Sequence, residues 1–284
     1  MNVVDAMTPR SDVVTVSLPG TRDDALEYLQ EKSFSSVPVV KEVDGKEEFR
    51  GLLTRDSLIE DPDEDQLAIL MDDDVPTTTC ATSVEEAARI MVEQGARRLP
   101  VVDGELEGIV TVTDIVRAIA NGDVGPDVTV ENVAADTVNA TYSGTPLPVV
   151  ERELYYADAP YAVVLDDDAE LAGMVTEVDI IHVARVVQGE ESTGDSIANQ
   201  DDEWMWEGIK AVGSRSIPTR NVQIPNGPVS EFMTEDVVSI TRRKSIKEAA
   251  QLMISNDIEQ LPLVGGDQLD AVVRDVNLLE ALYD

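Results

Sequence analysis

The feature that most constrains this chain is a passage that recurs four times. Near Leu52 it reads EFRGLLTRDSLIE, near Ile109 LEGIVTVTDIVRAI, near Met174 LAGMVTEVDIIHVA and near Val272 LDAVVRDVNLLEAL. Each copy is an apolar strand, a polar turn and the start of an amphipathic helix. A second shared piece lies upstream of each, where helix-period residues run into a proline-containing apolar strand: DALEYLQEKSFSSVPVV, VEEAARIMVEQGARRLPVV, LPVVERELYYADAPYAVV and IKEAAQLMISNDIEQLPLV. Short leading strands precede those, in DAMTPRSDVVTV, MDDDVPTTTC, ENVAADTVNATY and SEFMTEDVVSI. One unit therefore reads strand, helix, strand, strand, helix over roughly sixty residues, a single supersecondary unit used repeatedly. Turn chemistry around Gly45, Gly104, Asp167 and Gly266 predicts that the two later strands pair as a hairpin.

The expected fold class is α+β, made of β-α-β-β-α units. These are bounded at 1–60, 67–122, 128–188 and 229–284, with an insertion at 189–228 that begins acidic and turns basic and aromatic. Its composition marks a linker first and an ordered segment second. Trp204 and Trp206, followed by Lys210, Arg215 and Arg220, serve there either as a docking segment or as groove-filling side chains.

Composition narrows the function classes. With 284 residues and 43% apolar content the chain is long enough for two compact domains. Its 57 acidic against 21 basic residues give a net charge of -36, a field that repels nucleic acid. Because the acidity is spread along the chain, it points to the acidic proteome of a halophilic organism, whose salty cytoplasm screens the self-repulsion. The single cysteine, Cys80, excludes an internal disulfide and reads as a small apolar filler. The single histidine, His182, leaves almost no imidazole for catalysis or zinc and reads as a half-buried packing residue. Acidic runs at Asp61 to Asp65, Asp72 to Asp74 and Asp166 to Asp168 read as solvated turns, with no metal site expected. No apolar run approaches a membrane span and the start MNVVDAMTPR has no signal-peptide core, so a cytoplasmic, membrane-free protein is expected.

Three features together carry a resemblance: Met7-Thr8 and Met233-Thr234 near the leading strands, VPVV or LPVV in the middle strand, and G-h-h-T-x-x-D at the last strand-to-helix turn. The four-fold order with these motifs resembles the CBS (cystathionine beta-synthase) domain family over nearly the whole chain outside the insertion. That resemblance implies repeats paired into two Bateman modules, with clefts that bind adenosine-containing ligands. Four copies are similar to the arrangement in the gamma subunit of AMP-activated protein kinase, where two modules meet in a flattened disk.

The motif is complete twice, as Gly108, Ile109, Val110, Thr111, Asp114 and as Gly173, Met174, Val175, Thr176, Asp179. In the first copy Ser57 stands at the Asp position; in the fourth Arg274 and Asn277 replace Thr and Asp. Two readings stay open. A Thr and a carboxylate so spaced form a capping box, and they equally place a phosphate-binding helix start beside a carboxylate able to hold a ribose diol.

The resemblance implies that Thr111, Thr113, Asp114, Arg97 and Arg98 contact the ligand, with Thr8, Val13, Ser35 and Ser36 from the first repeat. It implies Thr176 and Asp179 for a second site, where Tyr155, Tyr156 and Asp158 occupy the stretch that would hold cations and Arg242, Arg243 and Lys244 are candidate phosphate contacts. The implied ligand is AMP, ADP, ATP or S-adenosylmethionine, regulatory and with no obligatory cofactor. The function expected is a cytoplasmic sensor acting on a protein partner, alone or as a homodimer. A scaffold with vestigial clefts is the rival reading. An enzyme is the least supported, because no nucleophile-base pair, metal cluster or Walker-type loop is present.

Overall fold

The computed structural model describes residues 1–26, 28, 36–54, 57–58, 64–135, 137–190, 218–266 and 268–283, with backbone alone at 26, 185–190 and 218–223. They fall into two compact units. The first contains Met1–Asp136, Val238–Gly265 and Asp270–Asp284; the second contains Thr137–Val237 and Gly266–Leu269.

The first repeat runs α1 (Val3–Ala6), β1 (Thr8–Pro9), β2 (Val16–Ser17), α2 (Arg22–Leu26), β3 (Ser36–Val43) and β4 (Lys46–Thr54). The second runs α3 (Leu67–Leu70), α4 (Val84–Glu93), β5 (Arg98–Val102), β6 (Leu106–Thr111) and α5 (Val112–Asn121). The third runs β7 (Ala140–Tyr142), α6 (Leu147–Ala157), β8 (Tyr161–Leu165), β9 (Leu171–Thr176) and α7 (Glu177–Val183), then β10 (Arg185–Glu190) and β11 (Pro218–Gln223). The fourth runs α8 (Ile246–Asn256), β12 (Gln260–Gly265), β13 (Gln268–Arg274) and α9 (Asp275–Glu280).

The sheets repeat one pattern, a leading strand parallel to a middle strand that is antiparallel to the last. It gives β2-β3-β4 and β7-β8-β9. Beside β5–β6 and β12–β13 the leading strand shrinks to single parallel bridges, Thr78↔Val101 and Ile240↔Leu263. The leading strands are thus shorter than the sequence implies. The hairpins form where turn chemistry places them. Asp44 and Gly45 both take positive φ, 52° and 79°, as the tightest hairpin turn requires. In the third repeat Ala169, at φ 61°, fills the left-handed position that Gly104 and Gly266 hold elsewhere.

Each last strand accepts, on its free edge, the leading segment of another repeat. Thr8 pairs with Ile109, Asp72 with Leu52 and Ala135 with Val272 in the first unit, and Thr234 pairs with Met174 in the second. This contact explains the glycine of the repeated motif. A Cβ on Gly108 would lie 2.4 Å from the Thr8 carbonyl oxygen, one on Gly51 2.3 Å from that of Asp72, and one on Gly173 2.8 Å from that of Thr234. The fourth copy has Ala271 there, and the segment facing it carries Ala134 and Ala135 where the others carry Met7-Thr8, Met71-Asp72 and Met233-Thr234. The larger strand residue goes with smaller partners and a stretched bridge: Val272 N to Ala135 O is 3.4 Å, against 2.9 Å for Leu52 N to Asp72 O and 3.0 Å for Met174 N to Thr234 O.

The main core of the first unit joins the second and fourth repeats. Ile115 and Ile119 of α5 and Ile246, Ala250 and Met253 of α8 share it with Val84 and Leu278. Buried positions at 112, 115, 116 and 119 form the i, i+3, i+4, i+7 stripe of an amphipathic helix. The first repeat keeps a smaller core around Val37, Val39, Leu53 and Leu67. In the second unit Leu147, Val150 and Leu154 of α6 pack on Val164 and Val175.

The insertion departs from expectation at its ends. Strands β10 and β11 pair antiparallel, from Arg185↔Gln223 to Glu190↔Pro218, so the two ends of the insertion are joined as an ordered ribbon. Trp204, Trp206, Lys210, Arg215 and the Arg220 side chain lie outside the described residues. Among the described residues no helix is long and apolar enough to cross a membrane.

Candidate functional site

Register and one hydrogen bond bring Ser36, Arg98 and Thr111, three of the sequence-predicted residues, to neighbouring corners. Antiparallel pairing sets Ser36 opposite Thr54 and Arg98 opposite Thr111. In each of the first two repeats, the start of the middle strand therefore lies beside the end of the last strand, where the next helix begins. The two corners meet, because the Arg98 guanidinium donates to the Ser36 hydroxyl across the repeats. Arg98 is half-buried, and no carboxylate among the described residues lies at ion-pair distance from it. Burial lowers its pKa from the ordinary arginine value, the adjacent Arg97 charge adds to this, and Glu259 opposes it. A half-buried guanidinium with no carboxylate at ion-pair distance among the described residues is suited to accept an anion.

Beside it, Thr111 caps α5 and Asp114 completes the capping box. The Thr111 backbone N–H and hydroxyl donate to Asp114 Oδ2 at 2.9 and 2.7 Å, and the Asp114 N–H donates to Thr111 Oγ1 at 3.3 Å. The other carboxylate oxygen, Oδ1, accepts from Arg117 at 3.0 Å, with the Asp114 side chain 11% and the Arg117 side chain 53% exposed. Arg117 escaped the sequence reading, although its i, i+3 spacing from Asp114 was available as a signal. The first repeat keeps a weaker version of the box, in which the Ser57 N–H donates to Thr54 Oγ1 at 3.1 Å.

Thr8 sits in β1, paired to Ile109 two residues before Thr111. Val13 follows on the same leading segment, its carbonyl accepting from Arg10 Nη1 at 2.9 Å. Arg10 also grips Glu47 through Nε at 2.7 Å and Nη2 at 2.6 Å, so it fixes the segment that carries Val13 to the β3–β4 hairpin. Thr113 is exposed on the first turn of α5, and Ser35 lies outside the described residues.

Arg97 is held differently from its neighbour. It turns to the fourth repeat, where Nη2 lies 2.6 Å from Asp275 Oδ2 and 2.8 Å from Glu259 Oε1. Burial alone would lower its pKa, and the two carboxylates more than offset that, leaving it raised. Asp275 is buried, at 4% exposure, and its Oδ1 also accepts from the Val276 N–H at 2.8 Å.

In the second unit Thr176 caps α7 as Thr111 caps α5, with Thr176 N and Oγ1 donating to Asp179 Oδ2 at 2.8 and 2.7 Å. Tyr155 and Tyr156 are exposed and stack edge to face. Of the candidate phosphate contacts, Arg242 pairs with Asp270 at 3.1 Å, Lys244 pairs with Glu248 at 2.7 Å, and Arg243 is exposed. His182 is exposed, not half-buried as its place in the sequence implied, because it lies on the solvent side of α7 three residues beyond Asp179. Cys80 is partly buried against the main core, and burial, with Asp103 beside it, raises its pKa. Asp72 and Asp166 cap their own turns, Asp72 Oδ1 taking the Asp74 N–H and Asp166 Oδ1 those of Asp168 and Glu170. No group of three metal-ligating side chains occurs among the described residues.

Comparison with known proteins agrees with this fold. A solved structure of a conserved protein from Pyrococcus horikoshii, 28% identical, covers 99% of this chain and 100% of its own at a TM-score of 0.70. The structure of MJ1225 from Methanocaldococcus jannaschii, proposed as an archaeal homolog of g-AMPK, shares the fold at a TM-score of 0.67 and 18% identity, covering 99% of each chain. In sequence, the M. jannaschii protein MJ1404 is 25% identical over 278 residues, which are 96% of this chain and 60% of that longer relative. The CBS domain profile matches residues 3–63, 66–121 and 229–284, the first, second and fourth repeats. With more than half of its length matched and the same strand and helix order in the segment between, this chain belongs to the CBS domain family.

Proposed function

We propose that the chain is a regulatory sensor that binds an adenosine-containing ligand, AMP, ADP, ATP or S-adenosylmethionine, where the first two repeats meet. The observation that carries this reading is Arg98: a half-buried cation, with no carboxylate partner among the described residues, facing a hydroxyl of the other repeat. A phosphate there would supply the missing counter-charge through charge-assisted hydrogen bonds. Thr8 and Val13 lie on the leading segment alongside, and Thr111 with Asp114 sits at the helix start, where the carboxylate would take the ribose on release of Oδ1 by Arg117. Binding between repeats would favour one arrangement of the elements over another, and a partner would read that difference in affinity. The four repeats, with the bounds read from the sequence, are the working parts in this reading, and a salt-rich cytoplasm is its setting.

A second reading has its own observation. Both oxygens of Asp114 are already engaged, Oδ2 in the cap and Oδ1 with Arg117, so the Thr-Asp pair is accounted for without any ligand. Under that reading the protein is a scaffold and the cleft is vestigial. Calorimetric titration of the folded chain with AMP, ADP, ATP and S-adenosylmethionine in molar potassium chloride separates the two. Saturable binding that Arg98→Ala weakens by about ten- to a hundredfold, as loss of a charged hydrogen bond does, supports the sensor. Absence of binding to all four supports the scaffold.

A further inference from the structure

Within the first unit the second and fourth repeats meet helix to helix about an internal pseudo-dyad: α4 packs on α9 as α8 packs on α5, and α5 meets α9. Near such an axis a position meets its own counterpart. Arg97 and Glu259 are counterparts, in GARRLPVV and DIEQLPLV, and the backbone confirms it: the Arg97 carbonyl accepts from the Val112 N–H at 3.0 Å and the Glu259 carbonyl from the Asp275 N–H at 2.8 Å. Across the axis Arg97 Nη2 lies 2.8 Å from Glu259 Oε1 and 2.6 Å from Asp275 Oδ2. The charges attract only because the two repeats differ, the second bringing Arg97 and buried Val112 where the fourth brings Glu259 and buried Asp275. A separate contact depends on the same difference. Lys247 Nζ donates to the Asn121 carbonyl at 3.3 Å, and a Cβ on Gly122 would lie 2.4 Å from it, so a cation sits on the C-terminal end of α5, which favours one. Two residues after its own helix cap, as Lys247 is after Ser245, the second repeat has Glu85 after Ser83. Two copies of the second repeat packed in this way would set Arg97 against Arg97 and Glu85 against the carbonyl end of α5. Two copies of the fourth would set Glu259 and Asp275 against themselves.

We propose that Arg97, Glu259, Asp275 and Lys247 are pairing determinants, which select the contact of the second repeat with the fourth and close this helix face to a second copy of the chain. The apolar part of the face makes no such choice, because burial of Ile115, Ile119, Ile246 and Met253 is non-directional and any similar helix pair would serve it. Like charges brought together in the wrong pairing supply the discrimination. Asp275 makes it strong, since a buried carboxylate parted from its cation is left uncompensated.

The test compares the full native chain with the triple variant Arg97→Gln, Glu259→Gln, Asp275→Val by sedimentation equilibrium over the same concentrations, with folding followed by circular dichroism. Asp275→Val installs the residue that the second repeat has at that place, and replacing a buried ion pair by neutral groups often leaves stability unchanged. The variant is expected to self-associate at least about tenfold more tightly than the native chain, as removal of a like-charge penalty across a contact allows. Association through other faces is common to both proteins and drops out of the comparison. Should the triple variant fail to fold, Glu259→Gln with Lys247→Gln, both at exposed positions, makes the same test with a smaller rise expected. Unchanged self-association in a folded variant, whatever its melting temperature, overturns the inference and leaves these ion pairs as ordinary intrachain contacts.

Discussion

At Arg98 a guanidinium is held partly out of water with no carboxylate at ion-pair distance among the described residues, and such a group costs stability unless something else neutralises it. Arg98→Met is therefore expected to leave the unliganded protein as stable as the native one or more so, while removing AMP binding; paired melts with and without AMP check both halves. Arg117 lends itself to the opposite experiment. It holds Asp114 Oδ1 from the solvent side, its own side chain 53% exposed, and pairs open to water contribute about 0–1 kcal/mol. Arg117→Ala should barely move the unfolding midpoint and should tighten AMP, because the carboxylate oxygen becomes free for the ribose; weaker AMP binding would place Arg117 on the ligand instead. The Thr-Asp spacing was legible in sequence because capping and ligand binding ask for the same two residue types. The divergence of Arg97 from Arg98 was not, since Arg97 precedes β5 while Arg98 opens it, and what each meets is fixed by repeats far away in the chain.

Among the elements, the last strand of each repeat has the most constrained edge, taking another repeat's leading segment at backbone distance. Gly108→Ala should destabilise the fold by about 1–3 kcal/mol, the usual cost of overpacking, through the clash with the Thr8 carbonyl. Adding Met7→Ala reproduces the Ala-Ala combination of the fourth repeat and should recover part of that loss; denaturant unfolding of the single and double variants measures it. The leading segment of the first repeat is also tied down by Arg10 and Glu47, whose hydrogen bonding holds the Glu47 carboxyl below its ordinary 4.5. A carboxylate depressed on folding stabilises fully above its unfolded pKa and loses that contribution as pH falls through the folded value. Unfolding of the native protein below about pH 4.5 should thus be steeper than that of Glu47→Gln. Hairpins and amphipathic helices were readable from turn residues and periodicity. The β10–β11 ribbon was not, because the acidic and polar composition flanking it reads as linker and its strands lie 28 residues or more apart from Glu190 to Pro218.

For the molecule as a whole, the repeat was the strongest signal, and it held because each copy needs a partner strand edge and a shared core to bury its apolar face. The charge of -36 sets the conditions of any assay. Thermal midpoints should rise steeply between about 0.1 and 2 M potassium chloride, where the screening length falls from about 10 Å to below 3 Å; a flat response would remove the salt-adapted reading. The second, third and fourth repeats retain the same element order with unequal motifs, so occupancy is expected to be unequal among the clefts, and binding stoichiometry reports it. The most direct test of the central claim is a crystal structure of the protein grown with AMP. The account predicts a phosphate hydrogen-bonded to Arg98 in place of its contact with Ser36 alone, with the ribose at Asp114. Electron density for AMP elsewhere, with Arg98 and Asp114 keeping the partners described above, would contradict it.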